Sequence, residues 1–327
     1  MLNYLIILTS ALVLSMLCTF LLVKFSLKYK VLRPNDIPLV GGLGIGLAFI
    51  FALSLGFFTL NLSLAKILPI AVASLAMLFF GVIDDLRELS VVHKFLAQSI
   101  CAVYLIACGI KTDIMYLGFW GNAVVTFFWL LGVTNAFNLL DILDGLTTGL
   151  VFIISSAFLL IGFLGADLNV QILSLILCAS SMGFLFFNFP PAKVYLGNSG
   201  SHFFGLLLAA IALIAHYASG GNVFALVSPV MILGLPIMDT ALLIIFRVIK
   251  KKLPFNKSKD HVALKIKALG FSPVKILLIM YLLCFIFSAC GVVLTRASNL
   301  MAVGIIIVVC LFSISVLPKL IKIEVDG

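Results

Sequence analysis

Runs of apolar residues, separated by short polar segments, follow one another along most of this chain. Eleven of these runs approach or exceed the length that crosses the ~30 Å hydrocarbon core of a membrane as a helix. The predicted spans cover residues 2–23, 39–60, 66–83, 95–110, 118–134, 146–165, 168–187, 200–217, 223–246, 274–295 and 299–318. The pattern predicts an all-α, polytopic membrane protein that forms a single domain over residues 1–327.

Composition and charge support this class and predict an orientation. Of the 327 residues, 64% are hydrophobic and 10% are charged. All but three of the 21 Lys and Arg residues follow odd-numbered spans, the exceptions being Lys66, Lys111 and Arg296. The positive-inside rule then predicts an external N-terminus and a cytoplasmic C-terminus. The net charge of +9 fits a surface that faces lipid headgroups and phosphates, and we expect no nucleic-acid partner.

The most polar segment within the apolar pattern is 134–149, TNAFNLLDILDGLTTG. Asn135, Asn138, Asp141 and Asp144 recur at every third position, which would place them along one side of a helix. Carboxylates at membrane depth cost about 2.5–3.5 kcal/mol on insertion scales, so they are seldom kept without a function. A polar loop between two spans is the alternative interpretation.

Other polar clusters are predicted on the same, cytoplasmic side. Adjacent Asp84 and Asp85 end the third span and suit a divalent cation or a general base. Residues 197–201, GNSGS, are predicted to open a helix, where Asn198 or a serine caps the helix, or free N–H groups face a phosphate. The longest polar loop, 247–273, falls on this side as well. One-sided polarity favours an enzyme over a transporter, which would need polar access from both sides.

Four further polar residues have both a functional and an ordinary interpretation. Lys94 and Lys193 could contact phosphates, although lysines at a membrane edge commonly extend towards anionic headgroups. His261, beside a lysine-rich run, is expected at the surface if it has no special role. Asp239 is expected to serve helix packing rather than chemistry.

Several motifs, in order along the chain, resemble those of the polyprenyl-phosphate N-acetylhexosamine-1-phosphate transferases. They are Gly41-Gly42, GVIDDL at 81–86 with KFLAQ at 94–98, NAFNLLDILDGL at 135–146, NFPPAKVYLGNSGS at 188–201 and LPIMDT at 235–240. The chain also departs from the family pattern. Asn198 stands where the family has a metal-binding Asp, Ile142 replaces a Gly, and His261 alone remains of a motif with three histidines.

The resemblance implies a chemical reaction and its site. A sugar 1-phosphate would pass from a UDP-N-acetylhexosamine to undecaprenyl phosphate in a bacterial cytoplasmic membrane, releasing UMP and starting a cell-envelope glycan, with Mg²⁺ or Mn²⁺ as cofactor. By resemblance, the catalytic residues are Asp84, Asp85, Asp144 and His261, the substrate-binding residues are Lys94, Asn135, Asn138, Asp141 and Lys193, and the metal-binding residues are Asn198, Asp84 and Asp144. The expected partners are the two substrates and membrane lipid, and a homodimer stays open. Two alternatives remain: a member that binds or scaffolds without catalysis, and a transporter of lipid-linked sugars.

Overall fold

The chain is almost entirely helical. The computed structural model describes residues 1–33, 36–217, 223–249 and 260–323. Within those ranges every regular element is a helix, which confirms the predicted all-α class. The α-helices are α1 (Leu2–Tyr29), α2 (Gly41–Thr59), α3 (Leu64–Leu86), α4 (Val91–Ala107), α5 (Gly118–Leu140), α6 (Leu146–Leu164), α7 (Leu168–Asn188), α8 (Gly197–Ile214), α9 (Ser228–Ile232), α10 (Gly234–Ile249), α11 (Val262–Ala268), α12 (Pro273–Leu294) and α13 (Asn299–Ile321).

Tertiary contacts divide the chain into two compact units, Met1–His216 and Tyr217–Gly327. In the first unit α8 lies at the centre and packs against α2, α3, α5, α6 and α7. From Phe203 onward the sequence of α8 is apolar on all sides, which is typical of a helix surrounded by other helices. Phe203, Phe204 and Leu207 on this helix are accordingly fully buried. The single-domain organisation stays a prediction.

The second unit is built around α12. This helix contacts α9, α10, α11 and α13. The helical segments Val223–Ile232 and Gly234–Ile249 meet at an angle of 73°. Pro236 lies just after this break, and a proline removes a helical N–H and clashes with the carbonyl four residues before it, which here belongs to Ile232.

Nine helices of the described ranges are long and apolar enough to cross a membrane, or ten if the bent pair counts as one span. Two of the eleven predicted spans differ from this description. The predicted span 95–110 is the 17-residue helix α4, whose length of about 25 Å is shorter than the hydrocarbon core. The predicted span 223–246 contains the 73° bend. The count of eleven is therefore not confirmed, and the orientation of the termini stays a prediction. The lysines at 250–259 that support this orientation lie outside the described residues.

Candidate active site

Helices α3 and α8 approach so closely that no side chain fits at one point between them. A Cβ atom at Gly81 would lie 2.6 Å from the Asn198 carbonyl oxygen, and closer still to the Cα atom of Ser199. Glycine at this position lets the two backbones touch. The contact brings the end of α3, which carries Asp84 and Asp85, to the first turn of α8.

Asp85 caps α8 from a neighbouring helix. Its two carboxylate oxygens accept hydrogen bonds from the backbone N–H groups of Asn198 (2.8 Å) and Ser199 (3.0 Å). The first N–H groups of a helix have no partner within the helix, and the helix dipole favours a negative charge there. Gly197, with a φ of +80°, leaves room for the carboxylate, because a Cβ there would lie 2.6 Å from Asp85 Oδ2. The prediction that 197–201 opens a helix is confirmed, whereas the alternative interpretation of Asn198 as its cap does not hold, because the N-cap residue is Leu196.

Asp84 forms a buried ion pair with Lys94. The Lys94 ammonium group lies 2.6 Å from Asp84 Oδ2, and the side chain of Asp84 is fully buried whereas that of Lys94 is 22% exposed. Asp84 Oδ1 accepts a hydrogen bond from the Leu89 N–H at 2.8 Å. Lys94 is therefore held by a carboxylate while its exposed part stays accessible to a second anion.

The turn between α5 and α6 places two more carboxylates at this end of the first unit. Helix α5 ends at Leu140, and Asp141 leaves the helical region with a ψ of 64°. Asn135 and Asn138 lie on α5 as predicted, but the prediction of one helical side for all four polar residues is wrong, because Asp141 and Asp144 lie in the turn. The Ala192 N–H donates a hydrogen bond to Asp144 Oδ2 at 3.0 Å and so fixes this carboxylate.

Asn188, which the sequence placed in a motif without a role, holds the turn against the segment before α8. Its Oδ1 accepts hydrogen bonds from the Gly145 N–H (3.0 Å) and the Thr148 hydroxyl (2.9 Å). Its Nδ2 donates to the Val194 carbonyl oxygen at 2.9 Å. The signal was present in the sequence, because an asparagine that ends an apolar helix needs several partners once it is buried.

A cavity of about 390 Å³ lies where these segments meet. It is lined by Leu39, Asp85, Asp141, Ile142, Leu143, Asp144, Tyr195, Leu196, Gly197 and Asn198. Burial, together with the nearby carboxylates of Asp85 and Asp144, raises the pKa of Asp141 to about 7, although the Thr147 hydroxyl acts in the opposite direction. The cavity thus unites three predicted acids and Asn198 from three separate parts of the sequence.

The two asparagines of α5 have different partners. Asn138 Nδ2 donates to Asn198 Oδ1 (2.8 Å) and to Ser201 Oγ (3.0 Å), so it reaches the cavity through Asn198. Asn135 exchanges hydrogen bonds with Gln98 at 2.7 and 3.2 Å. Asn135 therefore ties α5 to α4, and its predicted contact with substrate stays a prediction.

Two further predicted residues are not among those that line the cavity. Lys193 is exposed and follows the turn that carries Ala192. His261 belongs to the second unit, where its Nδ1 lies 2.7 Å from Asp239 Oδ2. Asp239 Oδ1 also accepts from the Val262 N–H at 2.8 Å, so Asp239 joins α10 to α11, as the expected packing role requires. The expectation of a surface position for His261 is wrong, because this pairing buries it.

The carboxylate oxygens that line the cavity suit a metal ion that binds together with a substrate phosphate. Among the described residues no group of three or more His, Cys, Asp or Glu side chains is arranged to hold an ion. Mg²⁺ is commonly held by one or two carboxylates together with substrate phosphates and waters. Asp141 and Asp144 fit that arrangement, because both carboxylates line the cavity. Asp84 does not line the cavity, and its role as a metal ligand stays a prediction.

One family model and several known proteins are similar to this chain in sequence. The family described as glycosyl transferase family 4 matches residues 67–216. A Bacillus subtilis protein named as a probable undecaprenyl-phosphate N-acetylglucosaminyl 1-phosphate transferase is 34% identical over 284 residues, which cover 84% of this chain and 78% of that protein. A Mycolicibacterium smegmatis decaprenyl-phosphate N-acetylglucosaminephosphotransferase is 29% identical over 86% of this chain and 78% of its own length. A Limosilactobacillus fermentum phospho-N-acetylmuramoyl-pentapeptide-transferase is 37% identical over 38% of this chain and 41% of its own length.

Proposed function

This chain belongs to glycosyl transferase family 4, and from that premise we propose that it transfers an N-acetylhexosamine 1-phosphate from a UDP-sugar to undecaprenyl phosphate. The sugar we propose is N-acetylglucosamine, which the names of the B. subtilis and M. smegmatis relatives contain. The reaction would take place at the cytoplasmic face of a bacterial membrane and would start a cell-envelope glycan.

The net reaction exchanges one bond to phosphorus for another. An oxygen of the lipid phosphate becomes bonded to the sugar-linked phosphorus of the donor. The bond between that phosphorus and the bridging oxygen breaks, and this oxygen leaves with UMP. Charge builds up on the phosphoryl oxygens, so positioning and electrostatic stabilisation supply most of the catalysis in such reactions.

The described residues support a division of labour between two neighbouring groups. Lys94, paired with buried Asp84, would bind and orient the lipid phosphate. Asp141 and Asp144, which line the cavity, would face the diphosphate of the donor. Asp85 would hold the first turn of α8 in place and would have to give up a hydrogen bond before it could act as a base.

We further propose Mg²⁺, or Mn²⁺ in its place, as the cofactor. Asp141 and Asp144 would hold the ion, with Asn198 as a weaker, uncharged neighbour whose Oδ1 already accepts from Asn138. When bound, the ion would neutralise the diphosphate of the donor and polarise it for displacement. His261 was assigned to the diphosphate by resemblance, and that assignment stays a proposal.

The observation that carries the proposal is the cavity in which Asp85, Asp141 and Asp144 surround the N-terminus of a central membrane helix. The test is to incubate the purified protein with undecaprenyl phosphate, Mg²⁺ and a series of radiolabelled UDP-sugars. We expect label in the lipid extract with UDP-N-acetylglucosamine, and release of UMP in equal amount. Absence of labelled lipid with every UDP-sugar would reject a transferase.

A second function, binding without transfer, is favoured by two specific observations. Asn198 provides no charge at a position where the family resemblance implies an acid, and its oxygen is already used by Asn138. Only His261 remains of the three-histidine motif, since Ala263 and Leu264 follow it. In the same assay this function predicts that the protein retains labelled UDP-sugar but forms no labelled lipid.

A further inference from the structure

Helix α8 carries a fully buried histidine, His202, whose ring nitrogens find no partner in the part of the chain that the structure describes. His202 is 0% exposed, and neither of its ring nitrogens has a hydrogen-bond partner among the described residues. Buried polar side chains are nearly always hydrogen-bonded, because a buried group without a partner destabilises the folded state. A leucine would fill similar space without that cost. The histidine is therefore expected to gain a partner in another state of the protein.

The position of His202 indicates which group that partner is. It lies one turn further along α8 than Asn198 and faces α3, where its ring centroid is 6.3 Å from that of Phe80. Asp84 follows Phe80 by one helical turn and so lies on the same side of α3. The charges of both Asp84 and Lys94 act on the imidazole. His202 thus lies near the ion pair and is not among the residues that line the cavity.

Asp84 depends on Lys94 for its charge balance. Its Oδ1 accepts from the Leu89 N–H, whereas its Oδ2 is matched within the described residues by the Lys94 ammonium group at 2.6 Å. When a lysine that neutralises a buried carboxylate turns towards another anion, the carboxylate is left uncompensated, which is strongly unfavourable. Lys94 can therefore bind a phosphate only at the expense of Asp84, unless a second donor replaces it.

We propose that His202 is a positioning residue for Asp84, whose ring N–H hydrogen-bonds Oδ2 while Lys94 binds a phosphate monoester. A neutral imidazole always carries one N–H, so this role requires no change of protonation. The chemistry requires a phosphate monoester, and its identification as the lipid substrate rests on the proposed function. Inorganic phosphate presents the same kind of phosphate oxygens to Lys94, so the experiment distinguishes the lipid phosphate from inorganic phosphate.

The test compares the full-length protein with H202L and H202Q, using equilibrium binding of ³²P-labelled undecaprenyl phosphate. We expect H202L to bind about tenfold more weakly, which equals about 1.4 kcal/mol. H202Q, which keeps an N–H donor, should bind within about twofold of the unsubstituted protein. The melting temperature of ligand-free H202L should equal or exceed that of the unsubstituted protein, because no unpaired polar group remains. A role in packing alone would instead lower the melting temperature and leave the affinity unchanged.

A double-mutant cycle with Asp84 makes the test specific. In a D84N background the H202L substitution should change the affinity by less than twofold, because a neutral amide leaves no buried charge to compensate. The proposal would be overturned by a full tenfold loss in the D84N background. It would also be overturned if H202L bound the lipid phosphate as tightly as the unsubstituted protein, or if the unsubstituted protein did not bind it at all. Displacement of the lipid by inorganic phosphate at similar concentrations would overturn the assignment to the lipid. If the cycle holds but no sugar phosphate is transferred, the proposed function alone fails.

Discussion

Replacement of Gly81 by alanine tests whether the close contact between α3 and α8 assembles the site. The new Cβ would lie 2.6 Å from the Asn198 carbonyl oxygen. Ordinary contacts between such atoms lie near 3.5 Å, so the two helices must separate by about 1 Å. The three nearest atoms, which belong to Asn198 and Ser199, are all backbone atoms, so no side-chain rotation can relieve the overlap.

The size of the effect follows from that displacement. A shift of about 1 Å in the positioning of reacting groups costs on the order of 100-fold in rate. Overpacking of a helix contact typically destabilises a protein by about 1–3 kcal/mol. We therefore expect G81A to lose about 100-fold in sugar-phosphate transfer, with a free energy of unfolding lowered by about 1–3 kcal/mol. The separation of α3 from α8 moves Asp85 away from the N–H groups that it caps.

Two other glycines supply matched controls for the transfer assay and the unfolding titration. A Cβ at Gly132 meets no atom within 4 Å, and a Cβ at Gly46 overlaps only the flexible end of the Leu78 side chain. G132A and G46A should keep at least half of the transfer rate. The reasoning is refuted if G81A transfers sugar phosphate as fast as these two controls.

Three further predictions concern the polar residues of the cavity. D85N should lower the free energy of unfolding by about 1 kcal/mol through weaker capping of α8, as well as reducing transfer; a denaturant titration that matches the unsubstituted protein would contradict the capping role. The pKa of Asp141, about 7, lies above the usual value near 4, so the folded state keeps a proton that the unfolded chain loses. The free energy of unfolding should consequently fall as pH rises from about 4 to about 7, and D141N should flatten this profile; parallel profiles for the two proteins would refute the assignment. N198D should lower the Mg²⁺ concentration that gives half-maximal transfer, because a carboxylate replaces an amide oxygen beside the ion; an identical Mg²⁺ midpoint would exclude residue 198 from contact with the ion.

The membrane helices and the meeting of the acids could be predicted because both depend on patterns with a simple physical origin. Long apolar runs have few alternatives to a membrane helix. Counting spans places Asp85 and Asp141 at helix ends on the same side of a membrane, and both line one cavity. The bend before α10 was missed because a span count from hydropathy does not register a single proline such as Pro236.

The errors within the site come from contacts between residues far apart in sequence. A spacing of three residues fits both a helix and a turn, so the end of α5 at Leu140 was not predictable from the spacing alone. Capping of α8 by Asn198 was one of two interpretations because capping is usually local, whereas the carboxylate that caps this helix comes from Asp85, more than a hundred residues earlier. His202 was overlooked because it lies in an apolar helix, directly after the motif that ends at Ser201.

The central claim is that the cavity at the start of α8 performs the transfer, and the D144N substitution tests it most directly. Asp144 lines the cavity, and an asparagine can still accept the hydrogen bond from the Ala192 N–H. The measurement is the rate at which purified D144N and the unsubstituted protein convert radiolabelled UDP-N-acetylglucosamine into labelled lipid, with melting temperatures recorded for both. We predict at least a 100-fold lower rate for D144N with a melting temperature within about 2 °C, as expected when a charge that acts on the transition state is lost. Equal rates for the two proteins would contradict the account.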